Sequence, residues 1–272
     1  MKVFIAVICV ASLFFSEHAS SEDISLGVVP QQSASKLARL WTPIAEYLSE
    51  KTGHNVRFVT ASDIPTFEKR LAAGDYDMAY MNPYHYTVFS QGKGYQAFAR
   101  QKDKRIKGIV VVRKDSSLKD LNELKGKSLA FPSPAAFAAS VLPRSHLHNE
   151  GIGFTPTYVS SHDSVYLAVA RGFFPAGGGV MRTFNNTDPA VRSQLKVLWT
   201  TKSYTPHALA AHRRLPRSVV DDILAALLSM NSDIQGKRLL DSINFKGIQA
   251  SNDSDWDDVR RLGIDLLTHF VD

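Results

Sequence analysis

Four consecutive residues, Ser160, Ser161, His162 and Asp163, place hydroxyl, imidazole and carboxylate side by side in the chain. Neighbours in sequence seldom converge as a nucleophile, base and orienting group, and the chain has no Gly-x-Ser-x-Gly elbow and no His-Glu-x-x-His pair. The run reads instead as a helix start, where a hydroxyl caps the first turn and the amides and His162 can donate to an oxyanion. A second group, Arg182 and Thr183, follows the glycines Gly177, Gly178 and Gly179. Arginine's planar fork suits carboxylate, sulfate or phosphate, although a lone arginine can equally serve as a surface ion-pair partner and three glycines as a simple turn. A third group opens at Ser133-Pro134, where small residues expose the amides of Ala135, Ala136 and Phe137 to an anion. The plainer alternative has Ser133 capping the helix and Phe137 filling the core. Asn82, Tyr84 and Tyr86 complete the set, just past a strand that breaks at Asn82-Pro83. In open α/β sheets the crevice beyond strand ends holds the ligand. These groups can grip an anion; none is arranged to make or break bonds, so no catalytic residue is expected.

The elements that must position them alternate. Ile24–Val29 reads as a buried strand, followed by a helix with Leu37, Leu40, Trp41, Ile44 and Leu48 on one face. Asn55–Thr60 is a second strand, Asp63 caps a helix with Pro65 in its first turn, Gly74 closes it, and Asp77–Met81 is the third strand. This β-α-β-α-β order predicts a mainly parallel sheet covered on both sides. Strands at Gly108–Val112 and Ser128–Phe131, a helix from Pro134, a strand at Thr157–Ser160, a helix over His162–Arg171 and a strand over Phe173–Ala176 that ends in the glycines continue the pattern. Lys196–Thr200 and His207–Ala211 carry the chain back. Val220, Ile223, Leu224, Leu227 and Leu228 share a helical face, as do Trp256, Val259, Gly263, Leu266, Leu267 and Phe270, and both helices are expected on the first unit.

The chain has 272 residues with a formal net charge of +6, which attracts anions without specifying one. Lys2 precedes an apolar run from Val3 to Phe15, too short for a bilayer span, with the small residues Ala19, Ser20 and Ser21 after it. Residues 1–21 therefore read as a cleavable signal, and the mature protein as periplasmic. Cys9, the one cysteine, departs with that signal, leaving no thiolate ligand or disulfide. His146 and His148 stand two apart on a helix and point to different faces, so no metal or cofactor is expected. The basic stretch Arg100, Lys102, Lys104, Arg105 and Lys107 lacks interleaved aromatics and reads as a solvated connection, so nucleic acid is not expected as a partner.

Read in order, the chain resembles the periplasmic binding proteins for phosphate, phosphite and phosphonates from about Leu26 to Asp265. The markers are Gly27-Val28-Val29-Pro30, the passage Asp77 to Tyr86, Val112-Arg113-Lys114-Asp115-Ser116, Leu124-Lys125-Gly126-Lys127, Ala130-Phe131, Pro134, Pro143, and Ser161-His162-Asp163 followed by Ala168-Val169. The resemblance implies a two-lobed periplasmic binding protein fold of type II, each lobe a mainly parallel sheet flanked by helices, with a ligand cleft between the lobes. It implies lobe 1 over 22–104 and 204–272 and lobe 2 over 105–203, joined by hinge crossings near Lys104 and Ser203. It also implies a monomer that captures a small anion and delivers it to the permease of an ABC transporter, or reports it to a sensor kinase.

By the same resemblance His162, Ser161, Tyr86, with Tyr84 in reserve, and one of Gln31 and Gln32 contact the ligand. Two departures concern its identity. Where the family carries Asp-Pro-x-Ser-Thr-Ser-Gly, this chain reads Ser133-Pro134-Ala135-Ala136-Phe137-Ala138-Ala139, so the three hydroxyls are gone. An aspartate common in the family is replaced by Pro175. Phosphate or phosphonate is the expectation, with another oxyanion or a carboxylate as the alternative.

Overall fold

The computed structural model describes residues 21–91 and 94–270; the expected signal, with Cys9, lies outside the described residues except for Ser21. The alternating pattern builds β1 (Asp23–Val28), α1 (Ala34–Thr52), β2 (Asn55–Val59), α2 (Ile64–Ala73), β3 (Met78–Met81), α3 (Pro83–Phe89) and β4 (Tyr95–Gln101). The local signals act as read. Asp63 Oδ1 accepts from Thr66 N at 2.8 Å to start α2, and Gly74 ends it in a left-handed conformation that an L side chain would resist. Leu37, Trp41, Ile44 and Leu48 of α1 are buried, and β1 pairs in parallel with both β2 and β3.

The chain then crosses into a second sheet: β5 (Gly108–Arg113), β6 (Ser128–Phe131), α4 (Leu142–Asn149), β7 (Thr155–Tyr158), α5 (His162–Ala170), β8 (Ala176–Val180), α6 (Met181–Asn185), α7 (Pro189–Arg192) and β9 (Leu195–Thr200). It returns through β10 (Ala208–His212), α8 (Arg217–Ser229), α9 (Ile234–Ser242), β11 (Ile248–Ala250) and α10 (Asp257–Arg260). The first sheet has the order β11-β4-β10-β3-β1-β2 and the second β7-β6-β8-β5-β9. Both are mixed rather than mainly parallel, because the return strand β10 runs antiparallel between β3 and β4, and β5 runs antiparallel to β8 and β9. The two crossings touch: Ile106 and Tyr204 exchange backbone hydrogen bonds at 2.8 and 2.9 Å.

Three local expectations are corrected. The glycines form β8 itself instead of ending a strand before it; Gly177, Gly178 and Gly179 pair with Val111, Val110 and Ile109 of β5. A Cβ at Gly178 would lie 1.9 Å from the carbonyl oxygen of Ala139, so the strand is glycine-rich because backbone packs on it. The helix expected from Pro134 begins later, as a π-turn over Phe137–Val141 in which Val141 N bonds Ala136 O at 3.2 Å. Pro143 explains the widening, since it has no N–H for the carbonyl of Ala139 in an α-turn or of Ala138 in a π-turn. Both carbonyls rest on glycines, Ala139 on Gly178 and Ala138 on Gly108. The single C-terminal helical face breaks into a short 3₁₀ turn at Asp253–Trp256, α10 and a turn at Thr268–Phe270, each packing apolar residues on the first sheet's core.

That core does not stop at the first sheet. Ala135 through Ala139, Leu142 and Val180 from the second sheet's side belong to the same buried cluster as Leu26, Trp41, Tyr80 and Trp256. The two lobes are in apolar contact.

Candidate functional site

The site residues gather where α5, α6 and the π-turn of the second sheet meet the carboxyl ends of β1 and β3. Ser161 caps α5 through Ser164 N at 3.1 Å, and the preceding Ser160 takes a left-handed backbone (φ 74°). This turn aims the His162 amide across the gap, where it donates to Gln31 O of the first lobe at 3.0 Å. The His162 ring is buried; its Nδ1 lies 3.0 Å from Thr183 Oγ1, which also meets the Tyr166 hydroxyl at 2.8 Å and bonds Val180 O at 3.1 Å. Thr183 thus orients the ring, and Nε2 has no partner among the described residues. Burial, reinforced by the Arg182 charge, lowers the His162 pKa to about 3, so the ring is neutral at any ordinary pH.

Arg182 reaches from α6 across to the first lobe, donating to Gln31 Oε1 and standing 5.9 Å from the centre of the Tyr80 ring. Gln31 therefore holds both His162 and Arg182, one through its backbone and one through its side chain. Gln32 is buried beside it. Asn82 uses its carbonyl oxygen to cap α3 through His85 N at 2.8 Å and its amide to bond Ala135 O at 3.3 Å, a further link between lobes. Around the edge, Ser33 N donates to Asp163 Oδ2 at 3.4 Å, Lys36 donates to Asn186 O, and Asn244 donates to Asn186 Oδ1. Asp163 is raised above the usual carboxylate range by burial, opposed by Lys36.

Other expected residues lie elsewhere or are differently used. Past the strand break Tyr84 and Tyr86 sit on α3 rather than in a turn, and both turn into the first lobe's own core. Tyr84 Oη accepts from Leu267 N at 2.8 Å, while Tyr86 donates to Asp253 Oδ1 at 2.6 Å and packs 4.7 Å from Trp256. Neither ring takes part in the lobe contacts around Gln31. Ser133 is buried with an unpartnered hydroxyl and does not cap the helix, which starts farther on. Ala135, Ala136 and Phe137 pack against the first lobe, with Phe137 edge-on to Tyr204 at 5.6 Å. Pro175 is exposed ahead of β8, at the opposite end from Arg182, so the aspartate it was aligned with has no counterpart in the cleft at that position. The Ser160–Asp163 run holds no triad: its hydroxyl caps a helix, and its carboxylate faces Ser33.

Two of the spaces between the lobes adjoin these residues. A slot bounded by Gln31, Asn82, the π-turn, His162 and His207 has only about 10 Å³, room for about one water. Beside it, at the hinge, a cavity of about 280 Å³ is lined by Tyr80, Arg182, His207, Met181 and the crossing residues 104–107. His207 stacks on Tyr80 at 4.9 Å, and burial with the nearby Arg182 charge lowers its pKa well below the ordinary value. Sequence reasoning missed Tyr80 and His207, and took the basic crossing as merely solvated. Tyr80 is two residues before the singled-out Asn82, and His207 directly precedes β10, so strand-end position was the available signal.

The family described as the periplasmic substrate-binding protein of ABC phosphonate transporters matches residues 26–256. Among curated proteins, the phosphate-import protein PhnD of Mycolicibacterium smegmatis is 24% identical, aligned over 89% of this chain and 85% of its own length. Two solved structures share the fold. The binding protein component of an ABC phosphonate transporter from Pseudomonas aeruginosa has a TM-score of 0.82 at 18% identity, covering 90% of this chain and 86% of that one. PhnD1 from Prochlorococcus marinus in complex with methylphosphonate has a TM-score of 0.81 at 19% identity, covering 89% and 97%. With a match across most of its length, a two-lobed fold and an interlobe cleft, the chain belongs to the family of periplasmic substrate-binding proteins of ABC phosphonate transporters.

Proposed function

We propose that this chain captures a phosphonate-like anion between its lobes, closes on it by hinge bending, and presents the closed form to an ABC permease without altering the ligand chemically. Export through a cleavable segment within residues 1–21 and action as a monomer belong to the same reading, with residues 22–104 and 204–272 moving as one body and 105–203 as the other. The carrying observation is Arg182, a cation from one lobe bonded to Gln31 of the other, beside a neutral His162 with an open ring nitrogen. A guanidinium at the closing interface gives an anion differential affinity for the closed state, which is what drives closure.

The slot at the π-turn supports a role for Gln31, Asn82 and His162 in orienting the ligand rather than enclosing it, since a tetrahedral oxyanion has no room there in this state. The test is calorimetry and thermal shift on ligand-stripped protein with methylphosphonate, phosphate, phosphite, sulfate and small carboxylates. A ligand at a hundred times its dissociation constant adds about 2.7 kcal/mol of stability. Arg182→Ala should cost about 2 kcal/mol of that ligand's binding energy. Absence of stabilisation by every anion would overturn the reading.

A further inference from the structure

The hinge-side cavity is larger than a phosphorus oxyanion needs. At about 280 Å³ it approaches the ~300 Å³ lower bound of small-organic-ligand sites. Arg182, Lys104, Arg105 and Lys107 line it, and no Asp or Glu does among the described residues. Arg105 is already tied to Asp258 at 2.7 Å, whereas the hydrogen bond of Arg182 among the described residues goes to Gln31, leaving most of its N–H donors for a second acceptor. The rest of the lining is mostly apolar: Ile106, Val180, Met181 and Pro206, with Tyr80 and His207, whose rings stack on each other at 4.9 Å and 17° from parallel.

We infer that the captured anion carries an apolar organic substituent of about phenyl size: its charged head lies against Arg182, and its body fills the hinge-side cavity against Ile106, Val180 and Met181. This rests on the anion-binding reading above and adds the class of substituent. A bare oxyanion would leave most of the cavity to water. A phenyl group fits the volume and the apolar part of the lining, and the cations of the same lining hold the charged end.

The experiment is calorimetric titration of the ligand-stripped protein with phenylphosphonate, methylphosphonate, inorganic phosphate and neutral benzyl alcohol. It is repeated with Met181→Trp, whose larger ring fills the cavity from a partly buried position. Phenylphosphonate should bind at least tenfold tighter than methylphosphonate, phosphate more weakly still, and benzyl alcohol far more weakly than phenylphosphonate. Met181→Trp should bring the two phosphonates within about threefold while its circular dichroism stays native. Equal or tighter binding of methylphosphonate by the wild type overturns the inference and leaves the anion reading standing. Benzyl alcohol as tight as phenylphosphonate overturns the charged head. A preference that survives Met181→Trp places the ring elsewhere. If no anion binds at all, the anion reading itself fails and this inference with it.

Discussion

His162 is neutral because its ring is buried, and the Arg182 guanidinium opposes its charged form further. Such a residue makes stability depend on acid. Its folded pKa of about 3 lies below the ordinary 6.5, so below pH 6.5 the unfolded chain binds a proton that the folded chain refuses. The stabilisation is complete above pH 6.5 and is lost progressively as pH falls toward 3. Between pH 7 and pH 5 the loss is about 2 kcal/mol. His207 acts with the same sign; Asp163, raised by burial, acts with the opposite one. Comparing the wild type with His162→Gln isolates the one group. In urea titrations the stability gap between the two proteins should shrink by about 2 kcal/mol from pH 7 to pH 5, and a constant gap would show that the ring is not held neutral. From sequence His162 could be placed at a helix start, but the Thr183 bond that aims its ring joins residues 21 apart through tertiary packing alone.

At the scale of elements, the π-turn and β8 act as one unit. Small residues at 135–139 read as an accessible helix start, yet the structure uses their smallness for contact: two carbonyls on Gly108 and Gly178, and methyl groups against the first lobe. Gly178→Ala puts a methyl group into the Ala139 carbonyl, where both partners are backbone and neither can swing away. The expected loss is about 3 kcal/mol or failure to fold, read as a falling denaturation midpoint. A loss under about 0.5 kcal/mol would show that the turn yields. The sequence made most strands and helices legible because apolar periodicity and caps are local: β1, β2, α2 and β3 lie within a residue or so of the expected bounds, and α1 covers the expected apolar face. The sequence pattern did not reveal β4 and β11, which are held by antiparallel partners far away in the chain, or the helical course of α3, which turned Tyr84 and Tyr86 inward.

For the whole molecule, the two-lobed architecture came from the family resemblance carried by markers such as the Leu124–Lys127 passage, while the alternating strand and helix order gave only layered sheets. The location of free space was not legible, since a cavity is what remains after every side chain has been placed. The lobes here touch through Gln31, Asn82, Lys36 and a shared apolar cluster. Protein contacts alone therefore favour this arrangement of the lobes. Small-angle scattering of stripped protein should still give a smaller radius of gyration with a saturating anion than without. Identical values would mean that the lobes are locked shut before ligand arrives.

The paired crossings at Ile106 and Tyr204 limit how that motion can run. Two separate strings would let one lobe swivel, shear or tilt against the other. Two strings laced by reciprocal hydrogen bonds form a narrow ribbon, which flexes across its flat face and resists sideways slip of one string along the other. On the proposed function, opening then follows a restricted path, and the permease would meet much the same closed outline whichever ligand is bound.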